Sequence, residues 1–224
     1  MKTSKNLRMN VCFISGPLFP VTGTSSRTLN FARALVGAGH NVYIITPKEH
    51  HNSPTFEVYD GVEIIRLDRV IPVSFHWRRA IKETLFMINK GVFLFSSKIK
   101  ELMKTDGIDI LHLAGDIPSL FGITAIRKMT RIKVPLVVDK HASTSLEMIE
   151  LGYLGYLMGL LEEGFICKYA DAILVPTSDL KRYFAERFRY SKDKVFVVPD
   201  SINTKWLIPM PLPKNRIRRE LGID

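Results

Sequence analysis

Short, continuous apolar runs alternate along this chain with longer stretches whose apolar residues recur at helical spacing. The runs lie at Val11–Ile14, Val42–Thr46, Pro135–Val138, Ala172–Val175 and Val195–Val198, and a further strand is predicted at Asp109–Leu113. In the first run apolar residues follow one another instead of alternating with polar ones, which predicts a strand that is buried on both faces, and the second run predicts another buried strand. Strands that alternate with helices predict an α/β fold, a doubly wound and mostly parallel sheet with helices on both faces.

The first strand and helix form the clearest unit of the chain. Leu29 and Ala32 belong to an apolar stripe at helical spacing, and Gly37 and Gly39 are typical of a helix end. Ser25 or Ser26 is expected to cap the start of this helix. Further helices are predicted at 78–104, from about 119 to 130, and at 145–168 and 179–187.

The connecting segments are predicted with less regular patterns. Residues 47–60 are polar and are predicted to form a loop. Val62–Leu67 predicts an edge strand, since apolar and charged residues share it. We see no internal repeat in the sequence.

The loop between the first strand and its helix is a candidate phosphate site. Gly23 lets the backbone approach a ligand closely, and Thr24 adds a hydroxyl donor at a helix N-terminus, which favours anions. An ordinary strand-to-helix turn explains the same residues equally well. A G-x-G-x-x-G fingerprint and a G-K-S/T motif are both missing from the sequence, so a nicotinamide dehydrogenase and a standard P-loop ATPase are disfavoured.

All loops that follow the parallel strands are expected at one edge of the sheet, because right-handed crossovers place them there. Ligands of such sheets bind in a crevice at that edge. The loops lie at 16–25, 114–116, 139–143, 176–178 and 199–203.

The composition and net charge limit the classes of binding partner but do not identify one. The chain of 224 residues has a net charge of +10, which suits an anionic substrate, an anionic membrane surface or nucleic acid. The basic residues are scattered and no nucleic-acid-binding motif is present, so we expect no nucleic-acid partner. Two cysteines, and no apparent signal peptide or spanning segment, favour a cytoplasmic protein, with possible peripheral contact to the inner face of the membrane.

The predicted helix at 78–104 leaves two interpretations open. Its apolar face and its lysines and arginines are typical of a basic helix that lies on a membrane surface. A helix packed on the core with charged ends has the same pattern, and this interpretation is preferred. The adjacent His50 and His51 lack further ligands at metal-site spacing, so no metal site is predicted.

Several segments, in order, resemble the N-terminal half of retaining glycosyltransferases of family 4, which have the GT-B architecture with two Rossmann-like domains. Pro20–Thr24 is similar to the family's Pro-x-x-Gly-Gly loop, and Gly39–Val42 to its Gly-His-x-Val. The strand at 109–112 resembles Asp-x-x-His, and 170–178 resembles Ala-Asp followed by an apolar run and Ser. Val197–Asn203 stands where the family has Ile-Pro-Asn-Gly-Val-Asp.

The resemblance implies transfer of a sugar from a nucleotide-diphosphate sugar to the hydroxyl of a carbohydrate or lipid-linked acceptor, with retained anomeric configuration. It implies no metal and no other cofactor. His141 matches a catalytic-site histidine near the donor sugar, while Gly23 and Thr24 match the loop that faces the donor pyrophosphate. His112 and Asp116 are candidates for the acceptor side.

The resemblance also implies an incomplete enzyme. Residues 1–205 correspond to an acceptor-side domain, and 206–224 to a Pro-rich linker and short helix that lead to an absent C-terminal, donor-binding domain. The isolated chain is therefore expected to be inactive. The alternative is an acceptor-binding or membrane-docking subunit that complements a separate donor-binding chain.

Three features depart from the family pattern. Thr24 replaces the second glycine, and Ser201 stands where the family has glycine. Both departures affect how closely the backbone can approach a ligand. Glu49 and Glu57 have the spacing of the family's Glu-x7-Glu motif, but they follow the second strand, so we interpret this spacing as coincidence.

Overall fold

One eight-stranded sheet organises the chain. The computed structural model describes residues 7–19, 23–70, 95–114, 133–200 and 219–222. Its strands stand in the order β3-β4-β2-β1-β5-β6-β7-β8, and all neighbouring pairs are parallel except β3 with β4. The strands are β1 (Asn10–Ser15), β2 (Asn41–Lys48), β3 (Phe56–Tyr59), β4 (Val62–Val70), β5 (Ile110–Ala114), β6 (Leu136–Asp139), β7 (Ala172–Val175) and β8 (Val195–Val197).

The described helices cover both faces of this sheet. They are α1 (Gly23–Gly37), α2 (95–105), α3 (Thr144–Glu147), α4 (Gly152–Tyr169) and α5 (Ser178–Arg187), with single 3-10 turns at Met148–Leu151 and Lys192–Lys194. Residues 219 and 220 are helical as well.

Alternate residues of the central strands enter two separate cores. Val11 and Phe13 of β1 pack with Leu29 of α1 on one face of the sheet. Cys12 and Ile14 point to the opposite face, where the core includes side chains of α2, α4 and α5. Because both faces of β1 are covered, all but its first residue are buried, as the continuous apolar run predicts. The predicted doubly wound α/β fold is confirmed.

The segment 47–60 is not a loop throughout, which corrects the sequence-based prediction. Strand β2 continues to Lys48, and residues Phe56–Tyr59 form β3, which pairs antiparallel with β4. Three of the four residues of β3 are exposed, so the segment lacks the apolar pattern of a buried strand. Strand β4 consequently lies one position inside the edge of the sheet, and the edge strand is β3.

Two helix predictions also need correction. Helix α1 begins at Gly23, so Ser25 and Ser26 lie within its first turn and not at its cap. The single helix predicted at 145–168 is divided into α3, a 3-10 turn and α4. Gly152 has a φ of +82° at this junction, a left-handed backbone conformation that interrupts an α-helix.

Other sequence-based predictions fall partly outside the described residues. Of the predicted basic helix at 78–104, the structure describes residues 95–104, and these are helical. The predicted helix near 119–130 and most of the segment 206–224 lie outside the described residues. Among the helices that are described, none is long and apolar enough to cross a membrane.

Glu49 and Glu57 have a structural explanation. Both carboxylates bind the guanidinium of Arg66 on β4, at 2.8 Å from Glu49 Oε2 to Nε and at 2.6 Å from Glu57 Oε1 to Nη2. Arg66 is 5% exposed, so the two glutamates neutralise a buried charge. The contacts of Glu49 and Glu57 with Arg66 therefore explain these two glutamates as part of the structure around β4.

Candidate functional site

A pocket of about 370 Å³ opens at the carboxyl edge of the sheet. The first three turns of α1, the loop after β6 and the segment after β8 form its walls. These are three of the elements whose meeting at one edge the parallel topology predicts. The lining residues are Gly23, Ser26, Arg27, Asn30, Phe31, Ala34, His141, Val198, Pro199 and Asp200.

Arg27 joins the three walls through its guanidinium group. Its Nε donates to Asp139 Oδ2 at 2.8 Å and its Nη2 to Asp139 Oδ1 at 3.0 Å, a bidentate pair with the last residue of β6. The same Nη2 donates to the carbonyl oxygen of Val198 at 2.8 Å, and Nη1 donates to Asp200 Oδ1 at 2.7 Å. One side chain of α1 therefore fixes the position of two loops.

The charges of this cluster depend on one another. Burial by itself lowers the pKa of Arg27, but hydrogen bonds and charge interactions with Asp139 and Asp200 outweigh burial and raise it. Asp139 is 1% exposed, so loss of Arg27 would leave a buried carboxylate without its counter-charge. Removing one partner of such a pair costs about 3–5 kcal/mol.

His141 lies in the pocket wall two residues after β6. Its side chain is 27% exposed, and its Nε2 is 3.9 Å from Asp139 Oδ2, which is an ion pair only when the imidazole is protonated. Nε2 is buried and has no hydrogen-bond partner among the described residues. A polar atom in this state is suited to a bond with a ligand that enters the pocket.

The loop that carries His141 rests on a buried polar network. Glu163 of α4, which is fully buried, accepts hydrogen bonds from Ser143 Oγ at 2.8 Å and from the Ser145 amide at 3.3 Å. Its other oxygen accepts from Tyr183 of α5 at 2.8 Å. Helices α4 and α5 thereby hold the residues that immediately follow His141.

Lys140 belongs to the same support. Its ammonium group donates to Glu162 Oε1 at 3.3 Å and contacts the hydroxyl of Thr144. Burial raises the pKa of Glu162, while the charge of Lys140 acts in the opposite direction. Lys140 and Glu162 are at most 5% exposed, so this pair supports the buried side of the loop. His141 lies on the side of the loop that faces the pocket.

His112 lies beneath the pocket and not in its wall. It is 6% exposed on β5 and stacks on Phe13 with 4.4 Å between ring centroids. Phe31 contacts it from the α1 side at 5.7 Å and in turn lies under the Arg27 guanidinium at 4.8 Å. Burial lowers the pKa of His112 to about 4. The imidazole is therefore neutral at physiological pH, and its predicted acceptor-side role would need indirect action through this column.

The other predicted site residues have simpler positions. Gly23 begins α1, is exposed and lines the pocket; Thr24 follows it, and its carbonyl oxygen accepts from Thr28 Oγ1 at 3.0 Å. Asp116 and Ser201 lie outside the described residues. Gly23 and His141 are brought together in one pocket with Arg27 and Asp200, and the buried Asp139 is bound to Arg27 behind it.

Sequence reasoning did not single out Arg27, Asp139 or Asp200. A usable signal existed, because Asp139 ends a strand and Asp200 follows another at the same predicted edge. A carboxylate that is buried at such an edge needs a cation, and Arg27 lies in the first turns of the helix that begins there.

Comparison with known proteins identifies the family. The model of Glycosyltransferase Family 4 matches residues 21–206, well over half of the chain. The chain belongs to glycosyltransferase family 4. No curated protein sequence matches the chain.

Solved structures confirm the fold of this family 4 chain. Sucrose-phosphate synthase from Thermosynechococcus elongatus is similar with a TM-score of 0.60 and 17% identity, over 96% of this chain and 99% of that one. The Arabidopsis thaliana protein UGT89C1 in complex with UDP-L-rhamnose has a TM-score of 0.57 and 13% identity, over 96% of this chain and 62% of that one.

A third structure extends the fold comparison beyond transferases. UDP-GlcNAc 2-epimerase from Neisseria meningitidis, bound to UDP-GlcNAc, has a TM-score of 0.52 and 12% identity, over 84% of this chain and 45% of that one. The family 4 chain thus spans about half the length of some of the proteins that share its sheet. At these identities the likeness shows the Rossmann-like, GT-B type of fold.

Proposed function

We propose that this chain is the N-terminal, acceptor-side half of a retaining glycosyltransferase. The complete enzyme would transfer a sugar from a nucleotide-diphosphate sugar to the hydroxyl of a carbohydrate or lipid-linked acceptor. The observation that supports this proposal is the pocket at the carboxyl edge, which Gly23, His141 and Asp200 line together in a family 4 chain. Two of the similar structures contain nucleotide sugars, which is consistent with such a donor.

The first turn of α1 is suited to the donor pyrophosphate. The amides at a helix N-terminus lack partners within the helix and create a partial positive charge, which stabilises phosphate oxygens. A Cβ added to Gly23 would meet no atom of the described residues within 4 Å, which leaves room for a ligand beside the backbone. As the sugar–phosphate bond breaks, negative charge grows on the leaving diphosphate, and fixed donors that face it lower the barrier.

His141 would act on the sugar. The unbonded Nε2 is suited to a hydrogen bond with a sugar hydroxyl, which fixes the orientation of the reacting carbon. The network of Lys140, Ser143 and Glu163 would keep the loop, and with it the imidazole, in a constant position. No metal ion or other cofactor enters this proposal.

The complete domain arrangement belongs to the proposal too. Residues 1–205 would form the acceptor-side domain, and 206–224 would lead to a C-terminal domain that supplies most contacts to the nucleotide. Transfer would then need both halves, because half of the cleft lacks most of the donor contacts.

A complementing subunit is the second candidate, and one observation favours it. Apolar residues of helix α4 are not confined to one of its faces. Three large apolar side chains of this helix are exposed, namely Tyr153 (75%), Leu154 (62%) and Leu161 (61%). Exposed large apolar side chains on one helix are typical of contact surfaces. Such a surface would suit a separate donor-binding chain or the inner face of a membrane.

The test compares the isolated chain with the native polypeptide from its source cells. Each is incubated with radiolabelled nucleotide sugars and a panel of carbohydrate and lipid-linked acceptors. We expect transfer by a native product of about twice this length and none by the 224 residues alone. Sugar transfer by the isolated chain would contradict the half-enzyme account, and a native product that ends at Asp224 would favour the complementing subunit.

A further inference from the structure

Arg27 holds two carboxylates that differ sharply in their surroundings. The Asp139 side chain is 1% exposed and is bound in a bidentate arrangement. The Asp200 side chain is 67% exposed and shares one hydrogen bond with Nη1. The two ion pairs are therefore unequal, although they involve the same guanidinium.

The exposed pair is the one that a ligand can replace. Separating Arg27 from Asp139 would leave a carboxylate buried without a counter-charge, which is a large penalty. Separating it from Asp200 returns to water a carboxylate that is already 67% exposed, and an anion bound at Nη1 would replace the hydrogen bond that Arg27 loses. Among the residues that the structure describes, Asp200 is the partner with which an anion at Nη1 would compete.

The geometry of the pocket brings Nη1 within reach of such an anion. Arg27 lines the same pocket as Gly23 at the start of α1, one turn away along the helix. A guanidinium suits phosphate oxygens because its N–H groups form a planar fork, and Nη1 would offer two N–H groups once Asp200 has left. The side chain of Arg27 is 5% exposed while Asp200 is bound beside it.

We propose that Arg27 is an anion-binding residue of this pocket and that Asp200 is its intramolecular competitor. The diphosphate group of a nucleotide-sugar donor would displace Asp200 from Nη1 while Asp139 keeps Arg27 in place. This inference rests on the proposed function for the identity of the anion. Arg27 would then be a positively charged hydrogen-bond donor to the ligand on the N-terminal half. Because Asp200 belongs to the segment that follows β8, entry of the ligand would also be coupled to the position of that segment.

Isothermal titration with inorganic pyrophosphate tests the proposal on the complete 224-residue chain. Asp200→Asn removes the competing charge and leaves the buried Arg27–Asp139 pair intact. Asp193→Asn is the matched control, because Asp193 is an exposed carboxylate that does not line the pocket. Both variants change the net charge equally, so long-range attraction of the anion changes alike in both.

We expect Asp200→Asn to bind pyrophosphate about fivefold more tightly than Asp193→Asn, the scale on which an exposed ion pair acts. Equal affinities of the two variants, or no binding by either, would overturn the proposal. Arg27→Lys provides a second arm: it keeps one positive charge for Asp139 but loses the fork, so Asp200→Asn should give no gain in that background. If Arg27→Lys does not fold, the comparison of the two aspartate variants still decides.

The outcome is separable from that of the proposed function. A gain in pyrophosphate affinity with no sugar transfer by the native polypeptide would retain the anion site and remove the transferase proposal. Sugar transfer with no difference between the aspartate variants would retain the transferase and remove the competitor role of Asp200.

Discussion

Single residues of this chain combine structural and chemical roles at the pocket. Arg27 is a buried residue of α1, and its hydrogen bonds hold the loop after β6 and the segment after β8. They also hold the charge of Asp200 at the pocket. The loop that carries His141 is held by the hydrogen bond between Ser143 and Glu163. His112 lies beneath the pocket as a neutral ring that packs against Phe13 and Phe31.

The buried imidazole of His112 predicts a specific pH dependence of stability. Its pKa is lowered to about 4 in the folded state, against about 6.5 when unfolded. The unfolded chain therefore takes up a proton as the pH falls from about 6.5 to 4, and the folded state loses stability over this window. Above about pH 6.5 the stability is unaffected by this group. The total effect is on the order of 3 kcal/mol.

Urea unfolding at several pH values checks this prediction with two variants. His112→Phe keeps a flat ring against Phe13 but cannot titrate, so the decline in unfolding free energy between pH 6.5 and 4 should become shallower. His51→Gln removes a histidine from an exposed turn and should leave the slope unchanged. An identical slope for His112→Phe and the wild type would show that His112 does not account for the pH dependence.

At the scale of elements, the apolar pattern predicts the parallel strands but not the edge of the sheet. β1, β2 and β5 are buried on both faces, so their sequences carry a continuous signal. β3 is held by its hydrogen bonds to β4 and by little burial of its own, and its sequence therefore resembles a loop. The sequence also does not predict the break before α4. Gly152 interrupts the helical backbone there, while apolar residues continue on both sides of it.

The contact between α4 and α3 predicts a strong effect of one methyl group. A Cβ on Gly159 would lie 2.4 Å from Ser145 Cα and 2.6 Å from its amide nitrogen. Because these are backbone atoms of α3, one of the two helices must shift. We expect Gly159→Ala to lower the free energy of unfolding by about 1–3 kcal/mol in urea titrations, despite the higher helix propensity of alanine.

Gly164 provides the matched control on the same helix. A Cβ there would meet Phe188 Cε1 at 3.9 Å, an ordinary van der Waals distance. Gly164→Ala should therefore be neutral or should stabilise the protein by up to about 1 kcal/mol. If both substitutions had the same effect, the close packing of α4 on α3 would not be a determinant of stability.

At the scale of the whole molecule, topology explains why a pocket lies at the edge of the sheet where the sequence predicts a crevice. Parallel strands with helices on both faces bring Gly23, His141 and Asp200 to one edge, although long stretches of chain separate them. The sequence could indicate this edge and two of these residues. It could not indicate the pairing of Arg27 with Asp139 and Asp200, because which carboxylate meets which cation depends on the packing of α1 against the sheet.

In the proposed function, this pocket is where sugar transfer takes place. The rate of transfer should be measured for the native polypeptide and for two of its variants, His141→Ala and His51→Ala. We expect a loss of about 100-fold for His141→Ala, the scale on which misplacement of a reacting group acts, and less than about a twofold change for His51→Ala. Equal rates for His141→Ala and the wild type would show that the reaction does not depend on this pocket.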